Sequence, residues 1–166
     1  MLKFKYIKVA GMRHRALAPS GAEAVLRAMK KRPTWEGTII SPDAKPGLDG
    51  AGQYPILSLD WYSDRGYAVH CMELAPRSHF LSTSTTLSEP VVTIELGGQG
   101  QELWPPELFV PDAMALKATR FLLRYGKRDP SLTWVAIDAF RRRKVKPRAR
   151  RQGAAAVTSK PLPRSA

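Results

Sequence analysis

The chain has one cysteine, three histidines and no long apolar run, and each shortage removes a class of protein. With Cys71 alone no intrachain disulfide can form, which points to a reducing compartment rather than a disulfide-stapled secreted scaffold. His14, His70 and His79 are scattered, whereas structural zinc takes four ligands at recognisable spacing, so no metal and no cofactor is expected. No stretch approaches the ~20 apolar residues of a membrane-spanning helix. The opening MLKFKYIKVAGMRHR mixes lysines among its apolar residues instead of placing them ahead of an apolar segment, so it is not a secretory signal. A soluble, cytoplasmic protein without a membrane partner is the expectation. Acidic residues are missing altogether from residues 141–166, which hold ten Lys and Arg. That leaves 17 basic and 14 acidic side chains in residues 1–140, a net of +3 out of the whole chain's +13. The basicity is local, not a property of the folded part.

What is present fits one ordinary domain. A chain of 166 residues with 43% hydrophobic side chains can bury a real core. The division expected is one α+β domain over residues 1–140 and a basic tail over 141–166. In the tail, RRRKVKPRARR places eight like charges in eleven positions with nothing apolar to offset them, which reads as disorder in isolation.

Periodicity supplies the elements. Residues 2–9 alternate as a short strand with one wet face. Ser20 and Glu23 form an S-x-x-E capping box, Ala22, Val25, Leu26 and Met29 share one helical face, and Pro33 ends the helix, so a first helix is predicted near 20–31. Gly37–Ser41, Tyr54–Trp61, Gly66–Met72, Ser78–Ser82 and Val91–Leu96 are short and rich in β-branched and aromatic residues. Asp64-Arg65-Gly66 reads as a hairpin turn between antiparallel neighbours. Pro111-Asp112 opens a second helix, with Met114, Ala118, Phe121, Leu122 and Tyr125 as its apolar stripe and Gly126 as its left-handed terminator. The expected architecture is an antiparallel β-meander of about four to six strands with two helices packed on one face.

Bond-breaking chemistry finds little to use. His70 and Cys71 are adjacent on a strand and point to opposite faces, so they cannot pair as base and nucleophile. Gly97-Gly98-Gln99-Gly100 lacks both the third glycine of a dinucleotide loop and a following Gly-Lys-Ser/Thr, and Trp104-Pro105-Pro106 keeps a helix from opening behind it. The carboxylate pairs Asp60 with Asp64 and Glu102 with Glu107 read as solvated surface. Lys117, Arg120, Arg124 and Lys127 line the polar side of the second helix and read as a solvated face. No catalytic residues are expected.

From Glu102 to Trp134 the chain runs through a proline-rich loop, an Ala-x-x-Ala helix with a Phe-Leu close, a Gly-Lys-Arg-Asp-Pro turn and Leu-Thr-Trp. On Ala115, Ala118, Phe121, Leu122, Gly126, Pro130, Leu132 and Trp134 this stretch resembles the C-terminal signature of the first-numbered immunity-protein family of bacterial polymorphic toxin systems. The likeness spans about 35–40 residues of the chain. It implies a non-enzymatic inhibitor that binds a cognate toxin inside the producing cell, several members of that family accompanying nucleic-acid deaminase toxins.

A toxin of that kind has a cationic groove with aromatic stacking pockets, to which an inhibitor offers carboxylates and large rigid side chains. Asp60, Trp61, Tyr62, Asp64, Glu102, Trp104 and Glu107 are the candidates, expected on or beside loops at strand ends, with Trp61-Tyr62 and Trp104 as exposed anchors. The alternative is a nucleic-acid-associated protein whose tail residues Arg141, Arg142, Arg143, Lys144, Lys146, Arg148, Arg150 and Arg151 contact phosphates without sequence choice.

Overall fold

A computed structural model describes residues 3–8, 15–32, 36–42, 54–74, 77–95, 101–139 and 143–144. His14, Trp35, the 43–53 linker, the 97–100 glycine loop and the tail apart from Arg143 and Lys144 lie outside these residues.

The fold is α+β, as expected. Eleven strands are described: β1 (Phe4–Lys8), β2 (Arg15–Leu17), β3 (Thr38–Ser41), β4 (Ile56–Tyr62), β5 (Gly66–Leu74), β6 (Arg77–Leu81), β7 (Val92–Glu95), β8 (Gln101–Trp104), β9 (Phe109–Val110), β10 (Trp134–Ala136) and β11 (Arg143–Lys144). With them stand two helices, α1 (Ala22–Met29) and α2 (Asp112–Tyr125). The main sheet has eight strands in the order β10-β6-β5-β4-β3-β1-β2, with β9 paired to β5, so β3 to β6 form the expected antiparallel meander. Its strand number exceeds the four to six read from sequence, because two- and three-residue strands carry no periodicity to read. A second sheet, β11-β8-β7, was not foreseen at all.

Side-chain alternation explains why two covers are needed. Leu57, Leu59, Tyr67, Val69, Cys71 and Leu81 point to one face of the main sheet, where Ala22, Val25, Leu26 and Met29 of α1 and Ala115, Ala118, Leu122 and Leu123 of α2 meet them. Ala68, Phe80, Phe109 and Val135 point to the other, where Val92, Ile94 and Trp104 of the small sheet close over them. The molecule is thus three layers: helices, large sheet, small sheet. Two ion pairs bind α1 to α2 at opposite ends, Glu23 with Arg120 (3.3 Å) and Lys30 with Asp112, and set the helices antiparallel.

Three local expectations change. The capping box does not form: Pro19–Gly21 is a single 3-10 turn whose carbonyls already take the first backbone donors, and Gly21, not Ser20, is the cap. Glu23 is released to bind Arg27 (2.7 Å) and Arg120. The buried stripe of α2 is Ala115, Ala118, Thr119, Leu122 and Leu123, so Phe121 and Met114 are only partly covered and Tyr125 is 56% exposed. The helix is turned by about one residue, because alanines and a threonine let it approach the sheet closely where aromatic rings would hold it off. Finally, the backbone ladder passes residue 140: Arg143 and Lys144 pair with Leu103 and Glu102.

Candidate functional site

The end of the β4–β5 hairpin gathers most of the expected contact residues. Asp60, Trp61 and Tyr62 are the last three residues of β4, and Tyr62 pairs with Gly66 across the turn. Gly66 has φ of 106°, and the Val110 carbonyl lies where a Cβ would stand, so this turn requires glycine. Because strand neighbours alternate, Trp61 lies on the helix side and Tyr62 on the small-sheet side. The Trp61 ring rests on Tyr67 (centroids 4.7 Å), with the Lys30 ammonium 4.9 Å from the Trp61 centroid. The Tyr62 ring meets Phe109 edge-on at 5.2 Å. Both aromatics are anchored on one flank and part-exposed on the other. Asp64 is exposed beside Arg65 (3.3 Å).

Asp60 differs from its neighbours. It faces the small-sheet side against Gly37, where no Cβ would fit, and burial pushes its carboxyl up to about 6. The same burial raises the Tyr62 phenol, with the Asp60 charge adding to it. Asp60 is therefore a poor exposed anion at this edge. Glu107 is also committed locally: it accepts hydrogen bonds from the Ser88 hydroxyl and from the Ser88 amide (3.1 Å). Slight burial raises its carboxyl, but those hydrogen bonds outweigh it and the net shift is downward.

Glu102 and Trp104 are not loop-borne anchors. Both point inward from β8, 7% exposed each, and the Trp104 indole N–H donates to Glu102 Oε2 at 3.0 Å while its ring abuts Phe80. Glu102 thereby serves the core instead of the solvated surface expected of it. The signal lay in the sequence: VTIE and QELW flank a glycine-rich stretch, which is a hairpin pattern in its own right.

The basic stripe of α2, read from sequence as a solvated face, borders a part-exposed aromatic pair that the sequence reading assigns to the core. On the outer side of α2, Phe121 and Tyr125 meet one turn apart, tilted at 46° (centroids 4.5 Å), in a concavity of about 750 Å³ that Pro19 borders from the turn ahead of α1. Arg120, Arg124 and Lys117 line the same hollow. The helical wheel could have found it, since Ala115, Ala118 and Leu122 already fill a complete inward stripe.

The remaining reactive groups are withdrawn. Cys71 is fully buried, and burial pushes its thiol up to about 12. His70 turns the other way, bonded to Ser78 and stacked on Phe80 at 4.5 Å. Among the described residues no three His, Cys, Asp or Glu side chains are grouped as a metal site, and no helix is long and apolar enough to cross a membrane. In comparison with known proteins, the chain matches no family model, no curated protein and no solved structure.

Proposed function

We propose that this chain is a stoichiometric inhibitor of the bacterial immunity type, which binds a cognate nucleic-acid-targeting toxin, such as a deaminase, in the cytoplasm and covers its active site. The observation that carries the reading is the hairpin end, where two aromatic rings, each braced from behind, stand next to the exposed carboxylate of Asp64. Braced aromatics bind at low entropic cost, and an exposed carboxylate complements a cationic groove. The Glu102–Trp134 resemblance supports the same class, with Ala115, Ala118, Leu122 and Gly126 serving as its scaffold. The docking set contracts to Trp61, Tyr62 and Asp64, because Glu102 and Trp104 are buried together, burial holds the Asp60 carboxyl toward its neutral form, and Glu107 is engaged by Ser88.

The test is protection of a toxin's substrate by the purified full chain, using the toxin domain encoded beside its gene. Trp61→Ala and Asp64→Lys, each verified folded by circular dichroism, should weaken protection at least about 30-fold where the residue is a binding hot spot. Undiminished protection by both variants would remove the hairpin end from the interface. Failure of the wild-type chain to protect would remove the function.

A further inference from the structure

We infer that the outer face of α2 is a binding site for single-stranded nucleic acid, independent of the inhibitor reading because it uses other residues. Three observations converge on it. The hollow beside Pro19 carries an aromatic pair, and Tyr125 presents more than half its surface to solvent. Cations surround that pair. Arg124 is exposed and enters no ion pair among the described residues, while Arg120, shared with Glu23, and Lys117, 4.0 Å from Asp129, each keep about half their side-chain surface in water. The only carboxylate lining the hollow among the described residues, Asp129, is buried and accepts from both the Ser131 amide and hydroxyl, so it does little to repel an anion.

Charge complementarity selects a polyanion, and the rings select its form. An unpaired base can lay its face on an exposed aromatic while neighbouring phosphates meet arginine; a duplex keeps its bases stacked on one another and offers no such face. Arg120 and Arg124 repeat at a helical spacing of four, as do Phe121 and Tyr125, so a row of cations runs beside a row of rings. The basic run at residues 141–151 is a separate source of phosphate affinity, but it has no aromatic residue and so cannot distinguish unpaired from paired strands by stacking.

The experiment is fluorescence anisotropy with the full chain and a labelled mixed-sequence 16-mer, used alone and annealed to its complement. The single strand should bind more tightly than the duplex. Tyr125→Ala, an exposed position that leaves the core intact, should lower single-strand affinity about 5- to 150-fold and leave duplex binding unchanged. Replacing Arg120 and Arg124 together by Gln should reduce the single-strand salt slope by roughly 1.4. Equal affinity for the two forms, or a preference that survives Tyr125→Ala, would overturn the site. So would polyglutamate of equal charge displacing the labelled strand as well as unlabelled strand does, which would assign the face to acidic protein surfaces.

Discussion

Asp60 shows what one partly buried carboxyl does to the energetics of this protein. In the unfolded chain it releases its proton near 3.8, whereas in the native state burial holds the proton up to about 6. Between those values the native state binds more protons than the unfolded one, so this group's contribution falls as pH rises through the window and stays low above it. Asp60→Asn should therefore stabilise the protein near neutral pH, by up to roughly 3 kcal/mol, and leave it little changed below pH 4. Urea unfolding of variant and wild type at pH 4 and pH 7 measures the difference, and equal gains at both values would show that burial does not penalise the charge. Residue-level chemistry was legible where backbone geometry dictates it. Gly126 takes the left-handed conformation its position predicts, with φ of 68°. The Ser20–Glu23 box was illegible because Pro19 tightens the turn ahead of the helix, which no short motif encodes.

At the scale of elements, α2 separates fastening from display. Leu122, 1% exposed, is packed into the helix-side core, while Tyr125 one turn on faces water. Leu122→Ala should cost about 2–5 kcal/mol through lost burial and the cavity left behind. Tyr125→Ala should change stability by no more than about 0.5 kcal/mol, since it removes little packing. Thermal melting of the two variants distinguishes this orientation from the opposite one. The existence and ends of α2 were plain from its sequence, but its rotation was not. Periodicity reports a stripe width, and both Phe121 with Tyr125 and Ala115 with Thr119 satisfy the same period; only the closeness of the sheet decides between them. The hairpin at Asp64–Gly66 was legible for the converse reason, since two strong strands leave that turn a single register.

At the scale of the whole molecule, the small sheet is the part the sequence hides, because QELW sits between glycines and prolines and reads as loop, which leaves β7 without a partner. Its third strand, β11, is drawn from the start of the basic run. A chain ending at residue 139 should lose the pairing of Arg143 and Lys144 with β8 and melt earlier, at a cost of roughly 1–2 kcal/mol for one or two backbone hydrogen bonds. A chain ending at Lys144 should melt like the full protein and, under the inhibitor reading, still protect against toxin. Loss of protection on removing only residues 145–166 would favour the tail-driven alternative instead.

The large sheet being roofed on both sides has a further consequence. Among the described residues, the hairpin end and the outer wall of α2 are then surfaces left for a partner, and exposed side chains there, such as Asp64 and Tyr125, lie outside the two cores. Under the inhibitor reading, recognition in such a body can be redrafted one side chain at a time while its frame is inherited unchanged, the freedom a lineage needs when its adversary keeps altering shape.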